Sequence, residues 1–232
     1  MNKKQLVAVI FNCVVAAFAT FVSTQTLAQN MGGPDFDADS YNVTAQFLAV
    51  SKKGDAVRAR ALLERGAALN ARNRNGETAL LMFTRRGDAA MVELLLQRGA
   101  EVNLAAIDGT TPLMAAAFEG HLAIATRLLD AGAEVETLDR LKKNAMIYAA
   151  GAGRSSIVAL LLDRGVDPDR TYEHDLTALM WAAGYGRTDT VTLLLDRGAD
   201  ASRQDDRGLD AAAIAARGGH DETRRVVEAA RR

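Results

Sequence analysis

Three histidines, one cysteine and a scatter of acidic loop residues are the side chains of this 232-residue chain from which catalysis or metal binding could be assembled. His121 and His220 each follow a glycine and stand 99 residues apart, and His174 stands alone. None belongs to a His-Glu-x-x-His stretch, and neither a Gly-x-Ser-x-Gly elbow nor a phosphate-cradling Gly-Lys loop occurs. Cys13 lies in the apolar N-terminal run, so the rest of the chain has no thiol for a nucleophile, a disulfide or a Cys-based metal site. Asp108, Asp139, Asp205 and Asp206 fall in loops, but without the spaced oxygen ligands of a calcium loop. The reading is therefore non-catalytic, with no catalytic, cofactor-binding or metal residue assigned.

What positions these residues is a repeat. Gly66, Gly99, Gly132, Gly165 and Gly198 are 33 residues apart, most within an Arg-Gly-Ala turn. A second ladder, Gly54, Gly87, Gly120, Gly153, Gly186 and Gly219, keeps step with it, and so does a third, Thr78, Thr111, Asn144, Thr177 and Asp210. A fixed period of this length signals stacked supersecondary units. In the unit around residue 111, Thr111 can cap free N–H groups and Pro112 fits a first helical turn. Leu113 and Ala116 then face the stack. Gly120 stops the first helix by accepting a left-handed backbone. Ile124, Leu128 and Leu129 form the apolar stripe of a second helix, and Gly132 ends it. Residues 133–142 form an extended hairpin loop to the next unit. One unit cannot bury its own apolar face, whereas stacked neighbours can.

The run Asp108-Gly109-Thr110-Thr111-Pro112-Leu113, with Ala115-Ala116, Gly120-His121, Leu128-Leu129 and Gly132-Ala133, resembles the ankyrin repeat, and the likeness extends over roughly residues 41–232. The fold expected is an all-α repeat solenoid of about six 33-residue units, each a helix–turn–helix plus a β-hairpin loop. The units are 41–73, 74–106, 107–139, 140–172, 173–205 and 206–232, the outer two acting as caps. Repeat two carries Phe83-Thr84 where the family has Ala-Ala, so its packing must be looser or adjusted. Repeat four departs most: Lys142 replaces the hairpin glycine, Asn144-Ala145-Met146 replaces Thr-Pro-Leu, and Gly151 and Gly153 share one turn. The family's His after Thr-Pro-Leu is absent throughout. Leu81, Met114, Ile147 and Met180 stand there, either buried or offered to a partner.

Residues 1–28 differ in kind. Lys3 and Lys4 precede an apolar run from Leu6 to Val22, and Thr26-Leu27-Ala28 supplies small residues. This is the layout of a bacterial secretory signal peptide, with cleavage expected after Ala28 and residence in the periplasm or outside the cell. The alternative, an uncleaved anchor, is disfavoured because the run is near the lower limit for a bilayer span. Residues 29–40 are polar and glycine-rich and are read as a flexible leader. Losing 1–28 removes two lysines and no acid, which takes the formal net charge from -1 to -3. That near-neutral balance argues against a nucleic-acid partner.

The resemblance implies a protein partner, met through hairpin tips and the inner faces of the first helices by a monomeric solenoid. Carried over position by position, it selects Arg74, Asn75, Glu77, Arg85 and Arg86 in repeat two, and Ile107, Asp108, Thr110, Phe118 and Glu119 in repeat three. It selects Arg140, Leu141, Lys143 and Ala152 in repeat four, and Glu173, His174, Leu176 and Tyr185 in repeat five. Among these, Ile107 and Leu141 are apolar at wet hairpin positions, and Phe118 and Tyr185 sit just before a helix-ending glycine. Clustered exposed apolar groups mark interaction sites, and aromatic and arginine side chains anchor them. The expectation is a groove with an apolar centre in repeats three to five, flanked by Arg85, Arg86, Arg140 and Lys143. Tyr148 and Trp181 are expected instead to pack between neighbouring first helices. The client itself is not written in the chain; an accessory protein for one periplasmic enzyme and a secreted effector both fit.

Overall fold

The computed structural model describes residues 38–231 of the chain. The signal peptide expected at 1–28 and most of the leader lie outside the described residues. Twelve helices follow one another as six antiparallel pairs: α1 (Ala38–Lys53) with α2 (Ala56–Glu64), α3 (Ala79–Arg86) with α4 (Ala89–Gln97), α5 (Pro112–Glu119) with α6 (Leu122–Asp130), α7 (Ala145–Ala152) with α8 (Ser155–Asp163), α9 (Ala178–Gly184) with α10 (Thr188–Asp196), and α11 (Ala211–Arg217) with α12 (Asp221–Ala230). The first helix takes in the end of the segment expected as leader, with no glycine or proline between Pro34 and Gly54 to interrupt it.

The three sequence ladders are the chemistry of the helix ends. Thr78, Thr111, Asn144, Thr177 and Asp210 are the N-caps of α3, α5, α7, α9 and α11, and each side chain accepts the N–H of the third helical residue. Such a cap is worth about 1 kcal/mol of stability. Gly87, Gly120 and Gly153 end α3, α5 and α7 with φ of 74°, 89° and 75°, the left-handed region that glycine enters without a Cβ clash.

Helices α1, α3, α5, α7, α9 and α11 pack side by side as an inner layer, and from α4 onward the even-numbered helices form an outer layer behind them. The core repeats with the sequence. Leu80, Leu113, Met146 and Leu179 stack in the inner layer, and Leu95, Leu128, Leu161, Leu194 and Val227 stack in the outer one, all buried. Leu81, Met114, Ile147 and Met180 are buried as well, so the positions left vacant by the family's histidine serve the stack. Phe83 and Thr84 are both fully buried, the packing of repeat two being adjusted around them. The outer surface carries ion pairs from one repeat to the next, Arg98–Glu64, Arg127–Glu93, Arg164–Asp130 and Arg197–Asp163. Each exposed pair of this kind contributes at most about 1 kcal/mol.

The connecting loops are hairpin turns, with no strand assigned among the described residues beyond one isolated bridge, Gln204 to Asp210. Their bases are closed by Ala106 N to Thr110 O at 2.9 Å, Asp139 N to Lys143 O at 2.9 Å and Tyr172 N to Leu176 O at 3.0 Å. Their tips are tied in sequence: Ile107 N donates to Asn75 O at 2.8 Å, Arg140 N to Asp108 O at 3.0 Å, and Asp206 N to His174 O at 3.1 Å. The corresponding bond between Glu173 N and Leu141 O is not made, so the tip ladder is broken between repeats four and five.

Candidate interaction groove

Four aromatic rings from three consecutive repeats meet on the inner face. Phe118 at the end of α5 stands edge-on to Tyr148 of α7, with ring centres 6.0 Å apart, and Trp181 of α9 stacks on Tyr185 at 6.1 Å. Between the two pairs lies a cavity of about 270 Å³, floored by Ile147, Gly151 and Ala152. Phe118 and Tyr185 are each 52% exposed, and Tyr148 and Trp181 are half-buried.

The cavity exists because of a missing side chain. Arg85, Phe118, Gly151 and Gly184 occupy equivalent places on successive inner helices. At Gly151 an added Cβ would lie 3.4 Å from Cδ2 and 3.5 Å from Cε2 of Tyr185. Absence of a side chain there leaves room between Phe118 and Tyr185.

Cations surround the opening. The Lys143 ammonium lies 4.5 Å from the Trp181 ring centre and 5.9 Å from that of Tyr148, within cation–π range. Arg154 and Arg187, the residues just after the helix-ending glycines, reach back to the preceding inner helix. Arg154 Nε donates to Phe118 O and Arg187 Nε to Gly151 O, both at 3.0 Å. Both arginines line the cavity. The hairpin acid Asp139 is already engaged: Oδ1 accepts the N–H groups of Leu141 and Lys143 at 2.8 and 2.9 Å, and Oδ2 accepts the Tyr148 hydroxyl. Burial first, then that hydrogen bond and the charge of Asp139, push the Tyr148 phenol far above its usual range.

A second depression opens next to it, where the tip ladder breaks. Arg140, Leu141, Lys142, Lys143, Tyr172, Glu173, His174, Leu176 and Trp181 line it, and Lys143 and Trp181 belong to both hollows. The local backbone supplies the reason. At Gly109 an added Cβ would sit 2.8 Å from Asp139 Cα, so glycine lets the next hairpin close in. At the equivalent place in repeat four stands Lys142, with φ 56° and a real Cβ, and the next hairpin stands off. That next turn is itself unusual, His174 and Asp175 both having positive φ, at 61° and 55°. His174 Nδ1 bonds Asp206 Oδ2 at 2.8 Å; this bond, then the charge of Asp206, raises the imidazole pKa. Burial pushes the Tyr172 phenol up to about 12.

The structure thus brings Phe118, Arg140, Leu141, Lys143, Glu173, His174, Leu176 and Tyr185 together along two adjoining hollows. It does not bring in Arg74, Ile107, Asp108 or Glu119, which are exposed elsewhere on the hairpins and the α5 end. Two of the flanking cations are otherwise engaged. Arg85 pairs with Glu77 of its own repeat, and Arg86 donates to the Lys52 carbonyl. Tyr148 and Trp181 pack half-buried on the inner helices, Tyr148 against Phe118 of the neighbouring one, and both also line the cavity. Arg154, Arg187 and Gly151 were missed. The arginines stand 33 residues apart at the place of His121, and that switch from histidine to arginine was the readable sign. His121 is structural, its ring half-buried beside Gly87 and its Nε2 3.4 Å from Arg85 O.

Among the described residues no group of three His, Cys, Asp or Glu side chains is placed to hold a metal ion. No helix among them is long and apolar enough to cross a membrane. No curated protein matches this chain. The family model for ankyrin repeats matches it three times, over residues 46–139, 85–172 and 133–205. Those matches overlap to cover most of the sequence, follow the same caps and glycine stops described above, and place this chain in the ankyrin-repeat family, whose repeats generally serve as protein–protein interaction modules.

Proposed function

We propose that this protein is a non-catalytic interaction module of the bacterial periplasm, an accessory protein that binds one client enzyme or complex through its inner face. The observation that carries the reading is the aromatic cluster of exposed Phe118 and Tyr185 with half-buried Tyr148 and Trp181, drawn from three repeats and rimmed by cations. A cluster of this kind on an otherwise polar surface is the usual mark of a protein contact. The layout of residues 1–28 supports export. A small ligand is the second reading, favoured by a cavity of about 270 Å³, near the lower end of ligand pockets.

The test is capture from the native organism. The full chain, tagged at its C-terminus and expressed at native level, is compared with a Phe118→Ala/Leu141→Ala/Tyr185→Ala variant of matched stability. One protein retained by the first and lost by the second identifies the client and places it on this face. Equal retention moves the interface elsewhere on the solenoid. Recovery of the chain only from the cytoplasmic fraction overturns the export reading.

A further inference from the structure

Resting on the reading of the inner face as a protein-binding surface, we propose that the cavity between Phe118 and Tyr185 receives one apolar or aromatic side chain of an acidic segment of the partner, whose flanking carboxylates are met by Lys143, Arg154 and Arg187.

Shape gives the first part. The cavity is a narrow slot at the glycine at 151, lined by the Phe118, Tyr148, Trp181 and Tyr185 rings. Glycine inside a helix weakens it relative to any ordinary residue, and here α7 runs through Gly151 as regular helix with no turn that requires it. The backbone therefore gives no reason for the residue, whereas the slot does. An inserted aromatic ring would find Phe118 and Tyr185 on opposite sides, within the geometry in which rings attract.

Charge gives the second part. On the outer layer, arginines are matched with acids one repeat away. At the slot they are not: Lys143, Arg154 and Arg187 have no carboxylate within 4 Å. Arg154 and Arg187 use Nε on a backbone carbonyl and keep their Nη groups for another acceptor, a geometry suited to a carboxylate. Asp139 has both oxygens occupied by Tyr148 and two backbone N–H groups and makes no ion pair with any of the three. A basic segment would meet like charge here and an acidic one its complement, and complementary charge selects partners and speeds encounter.

Trp181, the one tryptophan of the chain, stands in the slot wall and reports occupancy by its fluorescence. The purified full chain is titrated with acetyl-Asp-Glu-Phe-Glu-Asp-amide, with its Asn/Gln counterpart, with the acidic peptide carrying Ala for Phe, and with a decathymidylate. The expected result is a saturable change with the acidic Phe peptide that weakens as salt rises, and affinities about tenfold lower for the other two peptides. Arg154→Gln/Arg187→Gln lowers the acidic peptide's affinity by a similar factor. Lys143→Gln, which leaves both helix ends intact, is the second variant should the double one melt early. Equal binding of the acidic and Asn/Gln peptides, or no response to either, overturns the proposal. Tighter binding of the oligonucleotide overturns it in favour of a single-stranded nucleic acid, which also takes cations and stacked rings. A client captured by the full chain and lost by the Phe118/Leu141/Tyr185 variant, with no peptide charge preference, would leave the interface reading standing and remove this one alone.

Discussion

The Tyr148 hydroxyl donates to Oδ2 of Asp139, the residue that also organises the hairpin of repeat four by accepting the N–H groups of Leu141 and Lys143 on Oδ1. One carboxylate thus fixes the hairpin that carries Leu141 and Lys143 and the ring that walls the groove. Asn73 and Asp205 play the same hairpin role in their repeats, without a tyrosine.

Tyr148→Phe removes one hydrogen bond to a buried carboxylate that keeps two others, so a loss of about 1–2 kcal/mol is expected. Thermal melting would read it as a drop of a few degrees. The same bond has a pH signature. Because burial and Asp139 raise the phenol pKa above its unfolded value near 10, folding is favoured fully below pH 10 and this contribution fades as pH climbs beyond it. The variant should lose that part of the alkaline decline. Identical alkaline profiles for the two proteins would mean that Tyr148 is not held as described.

His174 and Asp206 join the fifth and sixth hairpins at an exposed tip. The hydrogen bond to Asp206 raises the imidazole pKa, so the charged pair is complete below pH 6.5 and is lost as pH rises through the higher folded value. An NMR titration should show His174 above 6.5, and Asp206→Asn should bring it back down. An unchanged value in the variant would assign the shift to another group.

Gly151→Ala should stabilise the protein by about 1 kcal/mol, the helix-propensity difference between the two residues. The new methyl lies in ordinary contact with Tyr185, at 3.4 Å, so it fits, but it narrows the slot. A higher melting temperature together with weaker capture of the client is the expected pair of results. Stabilisation with undiminished capture would show that the slot is not used.

The hairpin and helix-stop glycines differ in what they tolerate. At Gly132, φ 87°, nothing lies within 4 Å of an added Cβ, so Gly132→Ala carries backbone strain alone, about 1–2 kcal/mol. At Gly109, φ 86°, the Cβ would also strike Asp139 Cα at 2.8 Å. Gly109→Ala should therefore melt well below Gly132→Ala. Equal melting temperatures would mean that the hairpins are not pressed together.

The architecture was legible in the chain because each ladder states a local requirement. Thr111 caps its own helix and Gly120 ends it through short-range geometry that any reader of the sequence can apply. Stacking then follows, since the same apolar positions recur every 33 residues and have only each other to cover them. The groove was legible in part. Phe118, Leu141 and Tyr185 announce themselves as apolar residues where water is expected. What tertiary structure alone decided is how neighbouring repeats share space. Gly151 becomes a slot only because Phe118 and Tyr185 come from the repeats on either side of it. Arg85 is neutralised by Glu77, eight residues away, while Arg154 and Arg187 reach the repeat before their own and keep part of their charge free. Asp139 turns Tyr148 into a wall of the groove by a bond across nine residues. Such outcomes depend on distances between side chains of different units, and a periodic sequence specifies those units one at a time.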